Sequence, residues 1–163
     1  MTFKKISARR GARQLALQGL YAWEMTGNSL GLIEGDLLCG HYCLLLDTEV
    51  PDTFAENENY PVSPKFLDIP YFKELLHQIP AHKAEIDTMI TPFMSRELDQ
   101  LGPTEYAILQ IAAYELKFHP EIPFKVVINE AIDLTKEFGS QDSHKFVNGV
   151  LDKIAIHLKL RAS

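Results

Sequence analysis

The sequence lacks most of what marks an enzyme or a membrane protein. It has no Gly-x-x-x-x-Gly-Lys-Ser/Thr phosphate loop, no dinucleotide glycine fingerprint and no Gly-x-Ser-x-Gly elbow. No apolar run approaches the roughly 18–20 residues that a membrane helix needs. Two cysteines, Cys39 and Cys43, are too few for a disulfide framework. No stretch alternates like a strand beyond a few residues, and there is no internal repeat. Positive charge is in deficit: 16 Lys and Arg stand against 22 Asp and Glu, a net charge of −6. That excludes a generally basic nucleic-acid binder. Lys4, Lys5, Arg9 and Arg10 lead into no secretory apolar segment, so a cytoplasmic protein is expected.

What is present is an ordinary globular composition, 46% apolar and 23% charged over 163 residues. That length fits one domain, residues 1–163, with a real core. Its charge is unevenly spread. Lys4, Lys5, Arg9, Arg10 and Arg13 occupy a stretch with no acid. The span 31–60 carries Glu34, Asp36, Asp47, Glu49, Asp52, Glu56 and Glu58 with no Lys or Arg. A cationic end on an acidic body can hold phosphates while the body restrains non-specific binding.

Helical periodicity dominates. A first helix is predicted from about Ser7 to Thr26–Gly27, with Ala12, Leu15, Ala16, Gly19, Leu20 and Trp23 facing the core. Small residues at 12, 16 and 19 would let another helix approach closely. Asn28–Ser29 is a cap signal for a helix through Leu30, Ile33 and Leu37, weakened by Gly31, Gly35 and Gly40. Residues 49–68 read as a loop, and 37–64 as a loop or insertion. Tyr71, Phe72, Leu75, Leu76 and Ile79 form the next stripe, ended or bent at Pro80. A short helix with Ile86, Met89 and Ile90 stops near Pro92. Gly102–Pro103 opens a strong helix over Thr104–Phe118, with Ile108, Leu109, Ala112 and Leu116 inward. Pro123 suits a first helical turn, with Val127, Ile128, Ala131, Leu134 and Phe138 following. Gly139 is a candidate left-handed cap. Ser140 or Asp142 can cap a last helix carrying Val147, Val150, Leu151, Ile154 and Leu158. The class is therefore all-α, a compact bundle of six to seven helices.

Two places carry recognition chemistry. Arg10, Arg13, Leu17 and Tyr21 fall three or four residues apart on the first helix. Guanidiniums for phosphate and a flat ring for an unstacked base suit single-stranded RNA. A solvated helix face with Tyr21 at the core's edge is the plainer alternative. The turn Gln141-Asp142-Ser143-His144-Lys145-Phe146 gathers polar groups around one aromatic. It is either a binding loop or a capped corner with Phe146 in the core. Other candidates are weaker. Cys39, His41 and Cys43 do not give zinc four ligands in paired spacings. His144 beside Asp142 and Ser143 is better explained by helix capping than by catalysis. Neither an enzyme nor a bound metal or cofactor is expected.

Three segments together resemble the NusB family of bacterial transcription antitermination factors. They are Ala8-Arg9-Arg10-x-Ala12-Arg13-x-x-Ala16-x-Gln18-x-Leu20-Tyr21-x-Trp23, Glu105-x-Ala107-Ile108-Leu109-x-Ile111-Ala112-x-Tyr114-Glu115-Leu116, and the stretch from Pro123 to Asp152. The last includes Phe138-Gly139-x-x-Asp142-Ser143-His144-Lys145-Phe146-Val147-Asn148-Gly149-Val150-Leu151-Asp152. The resemblance covers residues 7–27 and about 66–156 and implies two three-helix halves. It further implies binding of boxA-type RNA together with NusE, a small-subunit ribosomal protein. That complex joins RNA polymerase and suppresses termination, chiefly on ribosomal RNA operons. By the resemblance, Arg9, Arg10, Arg13 and Tyr21 fall on the RNA-contacting helix. Asp142, Lys145 and Phe146 fall on a second RNA-contacting region, with Lys125 nearby, and Glu105 falls on the NusE face. Gly11 and Gln110 stand where many relatives have arginine. An RNA-binding domain like that of ribosomal RNA methyltransferases, or a protein-only helical adaptor, are the alternatives. Without a glycine-rich cofactor loop, the free-standing factor is expected. A monomer and a homodimer both fit.

Overall fold

A computed structural model describes residues 2–46, 67–94, 101–140 and 142–160, with side chains in the first of these stretches only from 8 to 39. Among them are seven α-helices and no strand, as the periodicity predicts. They are α1 (Thr2–Thr26), α2 (Leu30–Leu46), α3 (Ile69–Ala81), α4 (Lys83–Ile90), α5 (Pro103–Phe118), α6 (Phe124–Phe138) and α7 (Ser143–His157). A 3-10 turn, Thr91–Phe93, follows α4. The chain divides into two compact units, Met1–His77 and Gln78–Ser163. The expected loop at 49–68 lies almost wholly outside the described residues, as does most of the 37–64 segment. The side chains of His41 and Cys43 also lie outside them.

In the first unit, α1 begins well before the expected Ser7. It ends where Gly27, at φ +70°, donates its N–H to Trp23 O at 3.0 Å. Only a residue without Cβ takes that left-handed conformation without strain. Ser29 then caps α2 as expected, its Oγ accepting from Leu32 N at 3.2 Å. Asp68 caps α3 the same way, Oδ1 accepting from Tyr71 N at 3.1 Å. Ala12, Leu15, Ala16, Leu17 and Leu20 of α1 are buried, as are Ile33 of α2 and Phe72, Leu75 and Leu76 of α3. Each large side chain so buried contributes roughly 1.5–3 kcal/mol. Trp23, expected in this core, is only half-buried, because α1's last turn is otherwise exposed.

The small residues of α1 do bring helices close. A Cβ at Gly19 would lie 2.7 Å from Leu76 Cδ1 and 3.3 Å from Leu37 Cδ1. Leu76 is fully buried and has little room to yield. Gly19→Val is therefore expected to lose about 1–3 kcal/mol through overpacking. Chemical denaturation checks this; an unchanged midpoint would mean the helices can part without cost.

In the second unit, Pro80 lies inside α3, one residue before its end, and Pro92 lies within the 3-10 turn. Gly102 occupies the N-cap of α5 with Pro103 at its first position, where no N–H is needed. Every residue of α5 from Glu105 to Leu116 is buried, not just the one face the periodicity marks. A helix apolar nearly all round is a central one. Val127, Ile128, Ala131 and Leu134 of α6 and Val147, Val150, Leu151 and Ile154 of α7 are buried as expected. Pro123 is the N-cap of α6 and so precedes its first turn. A polar clamp links α4 to α5. Tyr106 Oη donates to Asp87 Oδ1 at 2.5 Å, and Lys83 Nζ donates to Tyr106 Oη at 3.0 Å and Asp87 Oδ2 at 3.1 Å. Burial, then the bond to Asp87, pushes the Tyr106 hydroxyl up to about 12.

Candidate nucleic-acid interface

Each unit carries one of the two recognition patches that the sequence singles out. In the first unit, Arg10 and Tyr21 are exposed on α1, about one and two turns to either side of its middle. Met25, one turn beyond Tyr21, is also exposed. The other members of the expected stripe are not open. Leu17 is buried, and Arg13 is only 4% exposed. From residue 11 to residue 17 every side of α1 is covered, so a step of three from Arg10 leads inward. The Arg13 guanidinium lies over the Tyr71 ring, 5.7 Å from its centroid. Arg9 is half-buried, its guanidinium 4.7 Å from the same centroid. The open cationic stripe is thus narrower than predicted: one exposed arginine, one half-buried, one inside.

In the second unit the patch is the corner between α6 and α7. Gly139 is not the expected left-handed cap. Its backbone is extended, at φ −88° and ψ 179°, and its N–H closes α6 on Thr135 O at 2.8 Å. Glycine is needed for space: a Cβ there would come 2.7 Å from Thr135 O and 3.0 Å from Ser143 Oγ. The left-handed residue is Asp142, at φ +68°, a conformation aspartate tolerates better than most. Asp142 occupies the N-cap of α7, but its side chain makes no cap bond. Ser143 Oγ instead donates to Ser140 O at 2.7 Å, which tightens the turn without capping α7. The Asp142 carboxylate is thereby released to the surface. It lies 4.0 Å from Lys145 Nζ, and both side chains are strongly exposed. Phe146, one turn into α7, is half-buried, with part of its surface open.

Glu105 holds this corner from beneath. The side chain is 8% exposed. Its Oε1 accepts from Ser140 N at 2.9 Å and Ser140 Oγ at 3.1 Å. Burial pushes the carboxyl up, but the Ser140 amide, its own amide and the Ser140 hydroxyl outweigh that and leave it below the usual glutamate value. A methyl group at Gly102 would overlap Glu105 Oε2, so the cap of α5 also shapes this site. Glu105, which the resemblance puts on the NusE face, is thus largely buried and supports this corner from within.

Lys125, expected near the second patch, is exposed at the start of α6. It lines a groove of about 560 Å³ with Phe124, Ile128 and Asn129 of α6, Asn148 and Asp152 of α7, and Leu160. Asn148 and Asp152 follow Lys145 by three and seven residues, which places all three on one face of α7. Three features escaped the sequence. Phe138, predicted in the core, is 40% exposed at the end of α6. Tyr71 receives two guanidiniums. Ser140 is tied to Glu105 across 35 residues. None has a local signal, although Phe138's place in the last turn before the corner is a hint.

No group of three or more metal-ligating side chains occurs among the described residues. Nor is any of their helices long and apolar enough to cross a membrane.

The NusB family model matches residues 10–156. The transcription antitermination protein NusB of Alkalilimnicola ehrlichii is 45% identical over 158 residues, 96% of this chain and 85% of the relative. That of Shewanella pealeana is 42% identical, covering 95% of this chain and 99% of the relative. Among solved structures, antitermination factors NusB and NusE in complex with dsRNA match with TM-score 0.69 and 27% identity, over 92% of this chain and 97% of the matched one. NusB of T. maritima matches with TM-score 0.64 and 26% identity, over 91% and 90% of the two chains. The matched span takes in the α6–α7 corner and Arg10, Arg13 and Tyr21 of α1, and the chain belongs to the NusB family.

Proposed function

We propose that this chain is a cytoplasmic transcription antitermination factor without catalytic activity. It binds boxA-type single-stranded RNA together with NusE and joins the RNA polymerase antitermination complex, chiefly on ribosomal RNA operons. The observation that carries the RNA reading is the α6–α7 corner. A strained Asp142, an exposed Lys145 and a part-open Phe146 are presented on a turn that a buried carboxylate holds in shape. Phe146 and Tyr21 offer stacking faces, and Lys145, Arg10 and Arg9 offer charge for phosphate. Asp142 accepts from a base amino group, and Lys125 extends the cationic side along α6. Phosphate contacts position the strand, while base contacts at the corner supply sequence preference. Arg13 acts from inside, through Tyr71. Glu105 serves partner binding indirectly, through the corner it supports.

The test is titration of boxA RNA and a scrambled control by the protein alone and with NusE. Preference for boxA, strengthened by NusE, is expected. By linkage, RNA must then tighten NusE binding by the same factor. Equal binding of both RNAs under both conditions would overturn the reading. Arg10→Ala is expected to lower the slope of log affinity against log salt by about 0.7, one single-strand phosphate. A slope identical to wild type would remove Arg10 from the contact. Incubation with a methyl donor and ribosomal RNA is expected to give no product.

A further inference from the structure

The Arg9 guanidinium is held in an unusual way. It lies 4.7 Å from the Tyr71 ring centroid, yet its Nε is buried and finds no hydrogen-bond partner. A buried donor left unbonded costs free energy, so some feature must hold the side chain there. The Tyr71 ring is that feature. Tyr71 is itself buried, 5% exposed, and its place is set by two bonds near the start of α3. Asp68 Oδ1 accepts from Tyr71 N at 3.1 Å, and Asp68 N donates to Ala8 O at 3.2 Å. The second bond pins the start of α3 to the α1 residue adjacent to Arg9. Arg13, one turn further along α1, lies over the same ring at 5.7 Å. Two guanidiniums at i and i+4 repel each other. The negative face of one aromatic ring offsets that repulsion and keeps both in place.

We propose that Tyr71 is a positioning residue for RNA phosphate, holding Arg9 in a pre-set orientation on α1. The inference rests on the RNA-binding reading above. An arginine free to rotate loses much of its side-chain entropy when it grips a phosphate. Stacked on Tyr71, Arg9 has already lost most of it, and its terminal nitrogens remain available to a phosphate oxygen pair. The ring does not touch RNA. Its contribution to affinity passes wholly through Arg9.

A double-mutant cycle tests this. Affinity for boxA RNA in the presence of NusE is measured for wild type, Arg9→Ala, Tyr71→Leu, the double variant and Tyr71→Phe. Tyr71→Leu is expected to weaken binding about fivefold. The double variant is expected to bind no more weakly than Arg9→Ala alone, and Tyr71→Phe, which keeps the ring face, to bind like wild type. Losses that add in the double variant, or a folded Tyr71→Leu that binds like wild type, would overturn the positioning role while leaving the RNA reading intact. Wild type that fails to prefer boxA over the scrambled control would overturn both.

A second measurement needs no RNA and does not depend on Tyr71→Leu folding. The Arg9 Nε–H proton is expected to resonate upfield, shifted by the ring and protected from exchange, in wild type and in Tyr71→Phe. An unshifted, fast-exchanging signal in both would also overturn the proposal.

Discussion

Glu105→Ala is expected to destabilise the protein by about 3 kcal/mol, since hydrogen bonds to a charged group are worth about 1.5–3 kcal/mol each. Two bonds from Ser140 are lost, and its amide is left without its acceptor beneath the corner. For a chain of this size the melting temperature should fall by roughly 10 °C. RNA affinity should fall with it, because the segment bearing Asp142, Lys145 and Phe146 is no longer fixed. Glu105→Gln keeps an acceptor oxygen and should lose less. The pH dependence carries the same signature. The folded-state pKa of Glu105 lies below its unfolded value, so its contribution is complete above about pH 4.5. It is lost as pH falls through the folded-state value, and that loss is absent in Glu105→Gln. Melting curves of the two variants and wild type between neutral and acid pH check both statements. Equal acid sensitivity in Glu105→Gln and wild type would show that the carboxylate is not the support. Glu105→Arg, by contrast, would bury a cation in the same space. It would not separate loss of a partner contact from loss of the corner.

Phe146→Ala should weaken RNA binding tenfold or more, since a base stacked on an aromatic side chain contributes roughly 1–3 kcal/mol. Phe146 is half-buried, so the truncation also removes packing under α7. Two observations separate the effects. Phe146→Tyr retains a stacking face and should bind RNA nearly as wild type does. The salt dependence of Phe146→Ala should keep the wild-type slope, because no phosphate contact is lost. Fluorescence anisotropy with labelled boxA RNA at several salt concentrations gives both quantities. A folded Phe146→Ala that binds at wild-type affinity would return the corner to a purely structural role.

The helices were readable because their apolar residues recur at helical spacing and their boundaries carry local chemistry. Ser29 before α2, Gly102-Pro103 before α5 and Gly27 after α1 each act within one turn, where sequence neighbours are spatial neighbours. The two candidate patches were readable for the same reason: arginine and aromatic residues fall within short segments. What could not be read is which of those side chains are open. Arg13 follows Arg10 by one turn, but the covering of α1 between residues 11 and 17 depends on segments distant in sequence. Glu105 and Ser140 meet across 35 residues, so nothing local marks that carboxylate as internal. The left-handed conformation expected at Gly139 falls at Asp142 instead for a similar reason. Thr135 and Ser143 leave no space for a side chain at 139, and the turn then completes its reversal at 142. Phe138 completes the apolar series of α6 in sequence, yet it falls in the last turn and stands partly outside.

The central claim is that residues on α1 and at the α6–α7 corner touch boxA RNA. Photo-cross-linking of boxA RNA to the protein in the presence of NusE, with the adducts mapped by mass spectrometry, tests it most directly. Adducts at Tyr21 and within residues 142–146, lost when the RNA sequence is scrambled, are the expected result. Adducts confined to other surfaces, or formed equally with the scrambled RNA, would contradict the account.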